Sequence, residues 1–331
     1  MNSFGRAHFS DQLPTSLDRK NCVLIYDQIL SRQHGSWIRK FPNRLAVKSG
    51  ETLKDVKILP RHLTAILNLS ADIPRTQLTV VAFGGGSVGD FAGFVASVLK
   101  RGVKLIHIPS TWLAAMDSAH GGKTALNVGQ AKNQIGSIYF AQDTYLVKKV
   151  LLKVPRTQVQ DALGEFYKMA LISGGAIWKA AVNEASPDGD FLWRHLRLVI
   201  RGKMQIVKKD PFETKGIRHL LNLGHTVGHV LETELGLSHG RAVHLGTLFS
   251  LNWSCQQGFF KFMLVPALWP SQSELKRSLK AVKNPRQKLR LDKKTSDGDA
   301  IQFVFVRKPG RVFVRKMKMK DLLKEWKRQC Q

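Results

Sequence analysis

The sequence predicts an α/β N-terminal domain with a Rossmann-like parallel sheet, plus a mostly α-helical C-terminal domain. Two patterns carry this prediction. Strand-like and helix-like segments alternate over the first 150 residues, which is typical of a parallel, doubly wound sheet. After about residue 155, most segments have helical apolar spacing instead. We therefore expect an N-terminal domain at residues 1–152 and a C-terminal domain at residues 153–331.

In the N-terminal part, short continuous apolar runs predict buried strands, and runs with a 3.6-residue period predict helices. The predicted strands are 21–27 (NCVLIYD), the start of 44–55 (RLAVKSGETLKD), 78–83 (LTVVAF) and 103–110 (VKLIHIPS). The predicted helices are 61–72 and 91–102. We expect Gly102 to close the second helix in the left-handed conformation that glycine tolerates best.

In the C-terminal part, helical periodicity covers residues 157–185, 191–210 and 219–236. Residues 301–317 (IQFVFVRKPGRVFVRKM) contain two strand-like apolar runs on either side of Pro309 and Gly310, and they predict a small hairpin with these two residues in its turn. The second domain is therefore expected to be helical, with one hairpin near its end.

Composition limits the class of protein. The chain has 331 residues, of which 43% are hydrophobic, so a sizeable core is expected and disorder of the whole chain is excluded. No apolar run is long enough to predict a transmembrane helix, and the first residues lack the apolar stretch of a signal peptide. Cys22, Cys255 and Cys330 form neither a disulfide framework nor a CxxC site. A cytoplasmic protein is expected.

The net charge is unusual. Lys and Arg total 52 against 24 Asp and Glu, so the formal net charge is +28. The electric field of such a charge attracts anionic partners of several kinds. Residues 261–331 hold 20 of the basic and 6 of the acidic residues. A solvated basic face is the favoured interpretation, and a nucleic-acid surface is the alternative. This segment has no aromatic platform or zinc-finger pattern of known nucleic-acid modules.

A glycine-rich turn lies between a predicted strand and a predicted helix. Gly84, Gly86 and Gly89 have the G-x-G-x-x-G spacing, which lets backbone N–H groups approach a pyrophosphate at a helix N-terminus. A tight turn that binds nothing would have the same glycines, although the flanking strand and helix favour dinucleotide binding. Asp90 follows the last glycine and can cap the helix or hold a ligand hydroxyl.

A second group of residues suggests a metal site. His225 and His229 are four residues apart, so a helix would place both rings on one face, and His239 follows ten residues later. Glu165 lies on another predicted helix. One carboxylate with two histidines is a common zinc ligand set, which leaves the third histidine for proton transfer. Cationic side chains in otherwise apolar or glycine-rich segments suggest an anionic substrate: Arg101, Lys123, Lys132, Lys168 and Arg218.

These segments together resemble the 3-dehydroquinate synthase family of the sugar phosphate cyclase superfamily. The similar motifs are GGGSVGDFAGF, IPSTWLAAMDSAHGGKTALN, AKNQIG, GEFYKMALI and LNLGHTVGHVLE, in that order. The resemblance runs from about Val81 to Glu232 without a large gap. It implies an NAD-binding first domain and a metal- and substrate-binding second domain.

The resemblance also implies roles for individual residues. Glu165, His225 and His239 match metal ligands, and His229 matches a histidine used in proton transfer. The positions that match substrate-site residues are Arg101, Asp117, Lys123, Asn133, Lys168, Arg218 and Asn222. The positions that match cofactor contacts are Asp27, Glu51, Lys54, Gly84, Gly85, Gly86, Ser87, Val88, Gly89, Asp90, Ser110, Thr111, Lys123 and Lys132. A late substrate lysine matches either Lys293 or Lys294.

The activity that the resemblance implies is the conversion of 3-deoxy-D-arabino-heptulosonate 7-phosphate to 3-dehydroquinate and phosphate, a step of the shikimate pathway. NAD and a divalent metal, zinc or cobalt, are the implied cofactors, and a homodimer is the implied assembly. Three alternatives stay open: a cyclase of the 2-deoxy-scyllo-inosose or valiolone type, a non-catalytic relative with a basic nucleic-acid-binding surface, and an NAD(P)- and metal-dependent alcohol dehydrogenase.

The chain departs from the family pattern at several positions. Arg241 stands where the family has a glutamate beside a metal ligand, so we expect its charge to oppose metal binding. His120 replaces an aliphatic residue, and Ser110 replaces a threonine. The stretch DPFETKGIR has one extra residue, which shifts Lys203 one step from a substrate-site lysine and puts Met204 in register.

Overall fold

The computed structural model describes residues 4–129, 131–259, 269–292 and 300–331. The chain divides into two compact units, Met1–Pro155 and Arg156–Gln331. Within the described ranges, no helix is both long and apolar enough to cross a membrane.

The first unit contains eight strands and five helices among its described residues. The strands are β1 Arg6–Ser10, β2 Cys22–Asp27, β3 Arg44–Val47, β4 Thr79–Gly84, β5 Lys104–Pro109, β6 Lys123–Val128, β7 Ala131–Ile138 and β8 Asp143–Val147. The helices are α1 Ser31–Ile38, α2 Leu59–Leu69, α3 Gly86–Val98, α4 Ala119–Gly121 and α5 Lys148–Leu151. Six strands form one parallel sheet in the order β1-β8-β5-β4-β2-β3, and β6 and β7 form a separate antiparallel pair.

Both faces of the sheet are covered, which explains the continuous apolar runs of its central strands. On one face, Val23 of β2 packs in a cluster that includes Phe91 and Val95 of α3. On the other face, Leu24 packs with Trp37 and other residues of a second cluster. Adjacent strand residues therefore enter opposite cores, as the period of two requires. The predicted parallel, doubly wound sheet is confirmed.

The end of α3 differs from the prediction. The helix ends at Val98, and the left-handed residues are Lys100 and Arg101, at φ 47° and 67°, while Gly102 has φ 106° and ψ 123°. The Lys100 ammonium donates to the carbonyls of Ser70 and Ile73 at 2.8 and 2.7 Å, which stabilises this conformation. The expected left-handed glycine cap is therefore replaced by a turn that a lysine holds in place.

The second unit is helical with one hairpin in its described part. Its helices are α6 Arg156–Ser173, α7 Gly175–Asn183, α8 Gly189–Lys209, α9 His225–Leu235, α10 His239–Gln256, α11 Gln272–Ala281, α12 Pro285–Asp292 and α13 Met319–Cys330. Strands β9 Ala300–Lys308 and β10 Arg311–Lys318 pair antiparallel. The predicted hairpin with Pro309 and Gly310 in its turn is confirmed.

Two glycines bring the backbones of α6 and α10 into direct contact. A Cβ placed on Gly164 would lie 1.9 Å from the carbonyl oxygen of Gly240, and one placed on Gly240 would lie 1.6 Å from the carbonyl oxygen of Asp161. No other residue type fits at this crossing without moving one helix. The contact lies immediately beside Glu165 on α6 and His239 on α10.

A buried histidine on α10 predicts how stability depends on pH. The His244 ring lies 5.1 Å from the Tyr167 ring and 4.9 Å from the Trp269 ring, and burial lowers its pKa to about 3. An unfolded chain protonates this residue near pH 6.5, whereas the folded chain does not until about pH 3. The free energy of unfolding should therefore fall as the pH drops through this window, by up to about 1.4 kcal/mol per unit for this residue.

The substitution His244→Phe keeps an aromatic ring in the cluster and removes its titration. Urea unfolding monitored by circular dichroism, at several pH values below about 6.5, should show a shallower loss of stability for the variant than for the parent chain. An unchanged slope would show that His244 is not buried in its neutral form.

Candidate active site

The carboxyl ends of the parallel strands bring the predicted cofactor residues to one edge of the sheet. Asp27 ends β2, Gly84 ends β4, and Ser110 follows β5. From β2 the chain goes to β3 on one side and then returns to β4 on the other side of β2, so a topological switch point lies between β2 and β4. Open α/β sheets bind ligands at such points. Asp27 also accepts a hydrogen bond from the backbone N–H of Ile29 at 3.3 Å and thereby caps the following turn.

The glycine turn leads directly from β4 into α3, as its spacing predicts. Gly85 is the N-cap of α3, and no side chain caps the helix there. The Ser110 N–H donates to the Gly84 carbonyl at 2.9 Å, and a Cβ on Gly85 would lie 3.1 Å from the Thr111 side chain. The turn therefore combines an uncapped helix N-terminus with a closely approached backbone, which fits a phosphate of a dinucleotide.

A buried lysine joins the glycine turn to the AKN segment. The Lys54 ammonium lies 2.7 Å from a carboxylate oxygen of Asp90 and 2.5 Å from the side-chain oxygen of Asn133. Lys54 is 5% exposed. Burial raises the pKa of Asp90, and the charge and hydrogen bond of Lys54 oppose that effect. Three residues predicted from separate motifs thus belong to one hydrogen-bonded group.

Asn127 extends this group, and the sequence interpretation missed it. Its side-chain amide donates to Glu51 at 2.7 Å, and its side-chain oxygen accepts the backbone N–H of Asn133 at 2.8 Å. Asn133 has φ 55°, so this bond holds a residue in the left-handed conformation. Asn127 lies on β6, in a hairpin that no periodicity predicted, and although it ends the motif IPSTWLAAMDSAHGGKTALN, its contacts were not expected.

Several other predicted residues of the first unit lie near the glycine turn. Lys123 lines a cavity together with Gly84, Gly89 and Asp90, and the charge of Asp117 acts on Asp90. Ser87 accepts a hydrogen bond from the Gly50 N–H at 3.0 Å.

For two predicted cationic residues, Lys132 and Arg101, the structure shows no contact with the glycine turn. Lys132 is exposed on β7. Arg101 is exposed beyond the C-terminal end of α3, whereas the glycine turn lies at its N-terminal end. The rise of a 13-residue helix separates these two ends by roughly 20 Å.

In the second unit, the three predicted metal ligands converge. Single ligand atoms of Glu165, His225 and His239 all lie within 4.8 Å of one another. The Glu165 Oε1 atom is 3.4 Å from His225 Nε2 and 3.3 Å from His239 Nε2. The residues come from three different helices, α6, α9 and α10. One carboxylate and two imidazoles fit a divalent ion such as Zn²⁺, with a coordination position left open.

The buried carboxylate of this group already has a cationic neighbour. The Lys168 ammonium lies 2.5 Å from Glu165 Oε2, and both side chains are almost fully buried. Burial by itself raises the pKa of Glu165, but Lys168 and the two histidines outweigh it and hold the pKa well below its usual range. Burial and Lys168 lower the pKa of His225. Glu165 is therefore ionised and His225 neutral, which are the ligand forms that a metal requires.

Both histidine ligands are oriented through their second ring nitrogen. His225 Nδ1 lies 3.2 Å from the Leu223 carbonyl oxygen, and His239 Nδ1 lies 2.9 Å from Glu232 Oε2. Hydrogen bonds to Glu165 and Glu232 raise the pKa of His239 to about 10, against the effect of its burial. Glu232 was not predicted as a site residue, because the sequence does not show that its side chain reaches His239.

The third histidine and the loop before α9 complete the group in this unit. The His229 ring lies 5.1 Å from the His225 ring and 6.4 Å from the His239 ring. Asn222 ends the short 3₁₀ turn Ile217–Asn222, which also carries the buried Arg218. His229 is thus beside the ligands without joining the three that converge.

The loop that contains the extra residue is organised by Asp210, which sequence reasoning also missed. Its carboxylate accepts the backbone N–H groups of Thr214, Lys215 and Arg218 at 2.8, 3.0 and 3.3 Å. Asp210 is fully buried. The inserted residue is therefore absorbed in a turn that closes on one carboxylate, and Lys203 lies buried on α8 before it.

The expected effect of Arg241 is modified by a partner. Its guanidinium forms a two-bond ion pair with Glu274 of α11, and one of these bonds, Nε to Oε1, is 2.8 Å long. The positive charge beside His239 is therefore matched by a carboxylate that lies 33 residues away in the sequence. His120 is buried with its Nε2 atom 3.0 Å from the Ala115 carbonyl oxygen. Lys293 and Lys294 lie outside the described residues.

Family models match most of the chain. The 3-dehydroquinate synthase N-terminal model matches residues 44–161, and the C-terminal model matches residues 162–295. A 3-dehydroquinate synthase of Leptospira interrogans is 33% identical over 309 residues, covering 89% of this chain and 82% of the relative. One of Pyrobaculum neutrophilum is 33% identical over 290 residues, covering 85% of this chain and 83% of the relative.

Solved structures share the fold at lower sequence identity. A 2-epi-5-epi-valiolone synthase of Streptomyces hygroscopicus, with NAD⁺ and Zn²⁺ bound, has a TM-score of 0.81 at 18% identity and covers 99% of this chain and 97% of its own. A 2-deoxy-scyllo-inosose synthase complexed with carbaglucose-6-phosphate, NAD⁺ and Co²⁺ has a TM-score of 0.76 at 22% identity and covers 96% of this chain and 95% of its own. From both family models and these relatives, we conclude that the chain belongs to the 3-dehydroquinate synthase family.

Proposed function

We propose that this enzyme of the sugar phosphate cyclase superfamily is a 3-dehydroquinate synthase. It would convert 3-deoxy-D-arabino-heptulosonate 7-phosphate to 3-dehydroquinate and inorganic phosphate, by transient oxidation, phosphate elimination, reduction and intramolecular aldol closure. The observation that carries the proposal is the convergence of Glu165, His225 and His239, with Lys168 on the same carboxylate, in a chain of this family. It would thus be a carbon–oxygen lyase that depends on NAD and a divalent metal.

The residues of the second unit fit a divalent metal. Glu165, His225 and His239 would hold it, and a metal in such a site supplies Lewis acidity toward a substrate oxygen. The ionised Glu165 and the neutral His225 are already in the forms that bind an ion. We infer zinc, with cobalt as the alternative, because a carboxylate and two imidazoles suit either ion.

The residues of the first unit fit NAD. The uncapped N-terminus of α3 and the close backbone at Gly84 and Gly85 would take the pyrophosphate, and Asp27 and Glu51 would take ribose hydroxyls. NAD supplies reversible hydride transfer, and because the hydride returns to the product, there is no net oxidation. Lys54 would keep Asp90 and Asn133 in a fixed relation while the cofactor is bound.

Charge and proton transfer would fall to side chains of the chain itself. Lys123, Lys168 and Arg218 supply cations for the phosphate and carboxylate of the substrate, while Asn222 and Asn133 supply amide donors. His229 lies beside the ligand group, with its ring 5.1 Å from the His225 ring, and would move a proton. Elimination requires removal of a proton next to the oxidised carbon and departure of phosphate, and cationic side chains stabilise both developing negative charges.

The related cyclases of the inosose and valiolone type are the competing assignment, since they share this fold. Arg218, Asn222 and His229 favour a substrate that carries a carboxylate, which the heptulosonate does and a hexose phosphate does not. We also infer a cytoplasmic homodimer from the family resemblance.

The proposal is tested by measuring phosphate release from the heptulosonate phosphate, with glucose 6-phosphate and sedoheptulose 7-phosphate assayed in parallel. We expect release only from the heptulosonate, and only with NAD and Zn²⁺ present. His225→Ala should lose bound zinc and turnover together, because it removes one of three ligands. Turnover by chelated enzyme, or a preference for another sugar phosphate, would refute the assignment.

The role of Glu232 gives a separate prediction about metal affinity. Glu232→Gln removes the charge that orients His239, and loss of such a partner typically weakens metal binding about 10–100-fold. Zinc affinity can be measured by competition with a chromophoric chelator. Glu234→Gln is the matched control, because Glu234 lies on the same helix and pairs with Lys288 at 2.8 Å instead. Equal affinities for the two variants would remove Glu232 from the site.

A further inference from the structure

The proposed enzyme does not account for the large basic excess near the end of the chain. Residues 261–331 contain 20 Lys and Arg against 6 Asp and Glu, and the site residues explain almost none of them. We propose that a surface of the second unit, which we call the basic face, binds double-stranded nucleic acid through its phosphates. The basic face consists of Lys276 and Lys280 on α11 and Lys320, Lys324 and Lys327 on α13.

The lysines of α13 form one stripe. Lys320, Lys324 and Lys327 are exposed and have the spacing i, i+4, i+7, so they lie within an arc of about 60° on the helix and span roughly 10 Å along it. The opposite side of α13 carries Leu322 and Trp326, which are buried in the core of the unit. The core thus fixes the orientation of the helix and turns the stripe outward.

The stripe continues onto the neighbouring helix. The Trp326 indole N–H donates to the Leu279 carbonyl at 3.3 Å, which packs α13 against α11. The Lys276 ammonium of α11 donates to the backbone oxygen of Gln331, the residue that follows Cys330 at the end of α13. Cys330 is adjacent to Lys327 on the helical wheel, so the positive charge extends across both helices.

Neighbouring side-chain carboxylates do not neutralise the α13 lysines of this face, whereas Lys276 donates to the Gln331 backbone oxygen. Glu274 of α11 is paired with Arg241, and Glu325 of α13 is paired with Arg328. Among the residues that the structure describes, no carboxylate forms an ion pair with Lys320, Lys324 or Lys327. A row of ammonium groups that forms no ion pairs gains from a polyanion, because binding releases condensed counterions.

The chemistry of the face favours a duplex over other polyanionic surfaces. A membrane surface would gain little beyond charge, since the apolar residues of α13 are buried or, for Leu323 and Cys330, partly buried against the core. Single strands are usually bound by aromatic stacking, and Trp326 is the aromatic residue of α11 and α13 and is buried. Lysines contact phosphates as point charges, so we expect binding without sequence preference.

The test is fluorescence anisotropy of a labelled 20-base-pair DNA duplex, titrated with protein at several NaCl concentrations. The variant K320Q/K324Q/K327Q is compared with K40Q/K149Q/K153Q, which removes three exposed lysines of the first unit and changes the net charge equally. For the first variant, the slope of log K against log salt should fall by nearly 3, because each phosphate contact contributes about 0.9. For the control variant, the slope should change by less than about 1.

Three results would overturn the proposal. Equal changes in the two variants would mean that only the net charge matters. Tighter binding of a single-stranded oligonucleotide than of the duplex would contradict the duplex assignment. Loss of binding to phosphatidylcholine–phosphatidylserine vesicles by K320Q/K324Q/K327Q, with duplex binding unchanged, would assign the face to a membrane surface. Phosphate release from the heptulosonate phosphate, measured on the same variants, reports on the proposed activity independently.

Discussion

The contact between Gly164 and Gly240 is the constraint on which the metal-binding part of this protein depends. At that point, the backbones of α6 and α10 approach so closely that a single methyl group would overlap a carbonyl oxygen. Glu165 and His239 are the next residue after one glycine and the residue before the other. The helix crossing therefore sets the separation of these two side chains, which come together at 3.3 Å although they are 74 residues apart in the sequence.

The two units build their sites from different groups: backbone and polar side chains in the first unit, and charged side chains in the second. In the first unit, backbone groups at the edge of a parallel sheet are left open, and a network of short polar side chains holds the surrounding strands. In the second unit, Lys168 compensates Glu165 in a nearly dry interior, and Glu232 compensates the partly exposed His239. Buried charges require such partners, because an unpaired one would cost several kcal/mol. Electrostatic pairing thus keeps Glu165 ionised and His225 neutral, whereas His239, whose pKa is raised to about 10, would have to release a proton to bind a metal.

The elements that could be predicted from sequence are those whose structure is determined by neighbouring residues along the chain. Strands β2, β4 and β5 are continuous apolar runs because both of their faces are buried, and they were predicted correctly. Strands β6 and β7 were missed, because polar residues such as Lys123 and Asn133 interrupt any simple alternation. The convergence of the three metal ligands agrees with the family resemblance.

Residues that act through long-range contacts could not be found in this way. Asn127 and Glu232 each end a motif that resembles the family, but their roles, like that of Asp210, follow only from which backbone or side chain they reach. The sequence interpretation singled out the charge of Arg241, but its partner Glu274 comes from another helix. Sequence patterns report periodicity and composition, whereas these four positions depend on how helices and loops pack.

The measurement that tests this account most directly is the zinc affinity of Gly164→Ala, determined by chelator competition beside Gln160→Ala, an exposed change on the same helix. The added methyl group must push α6 away from α10, so we predict at least about a tenfold loss of zinc affinity and a loss of stability of about 1–3 kcal/mol. Gln160→Ala should bind zinc as the parent chain does. Parental zinc affinity in Gly164→Ala would contradict the claim that this helix contact sets the metal site.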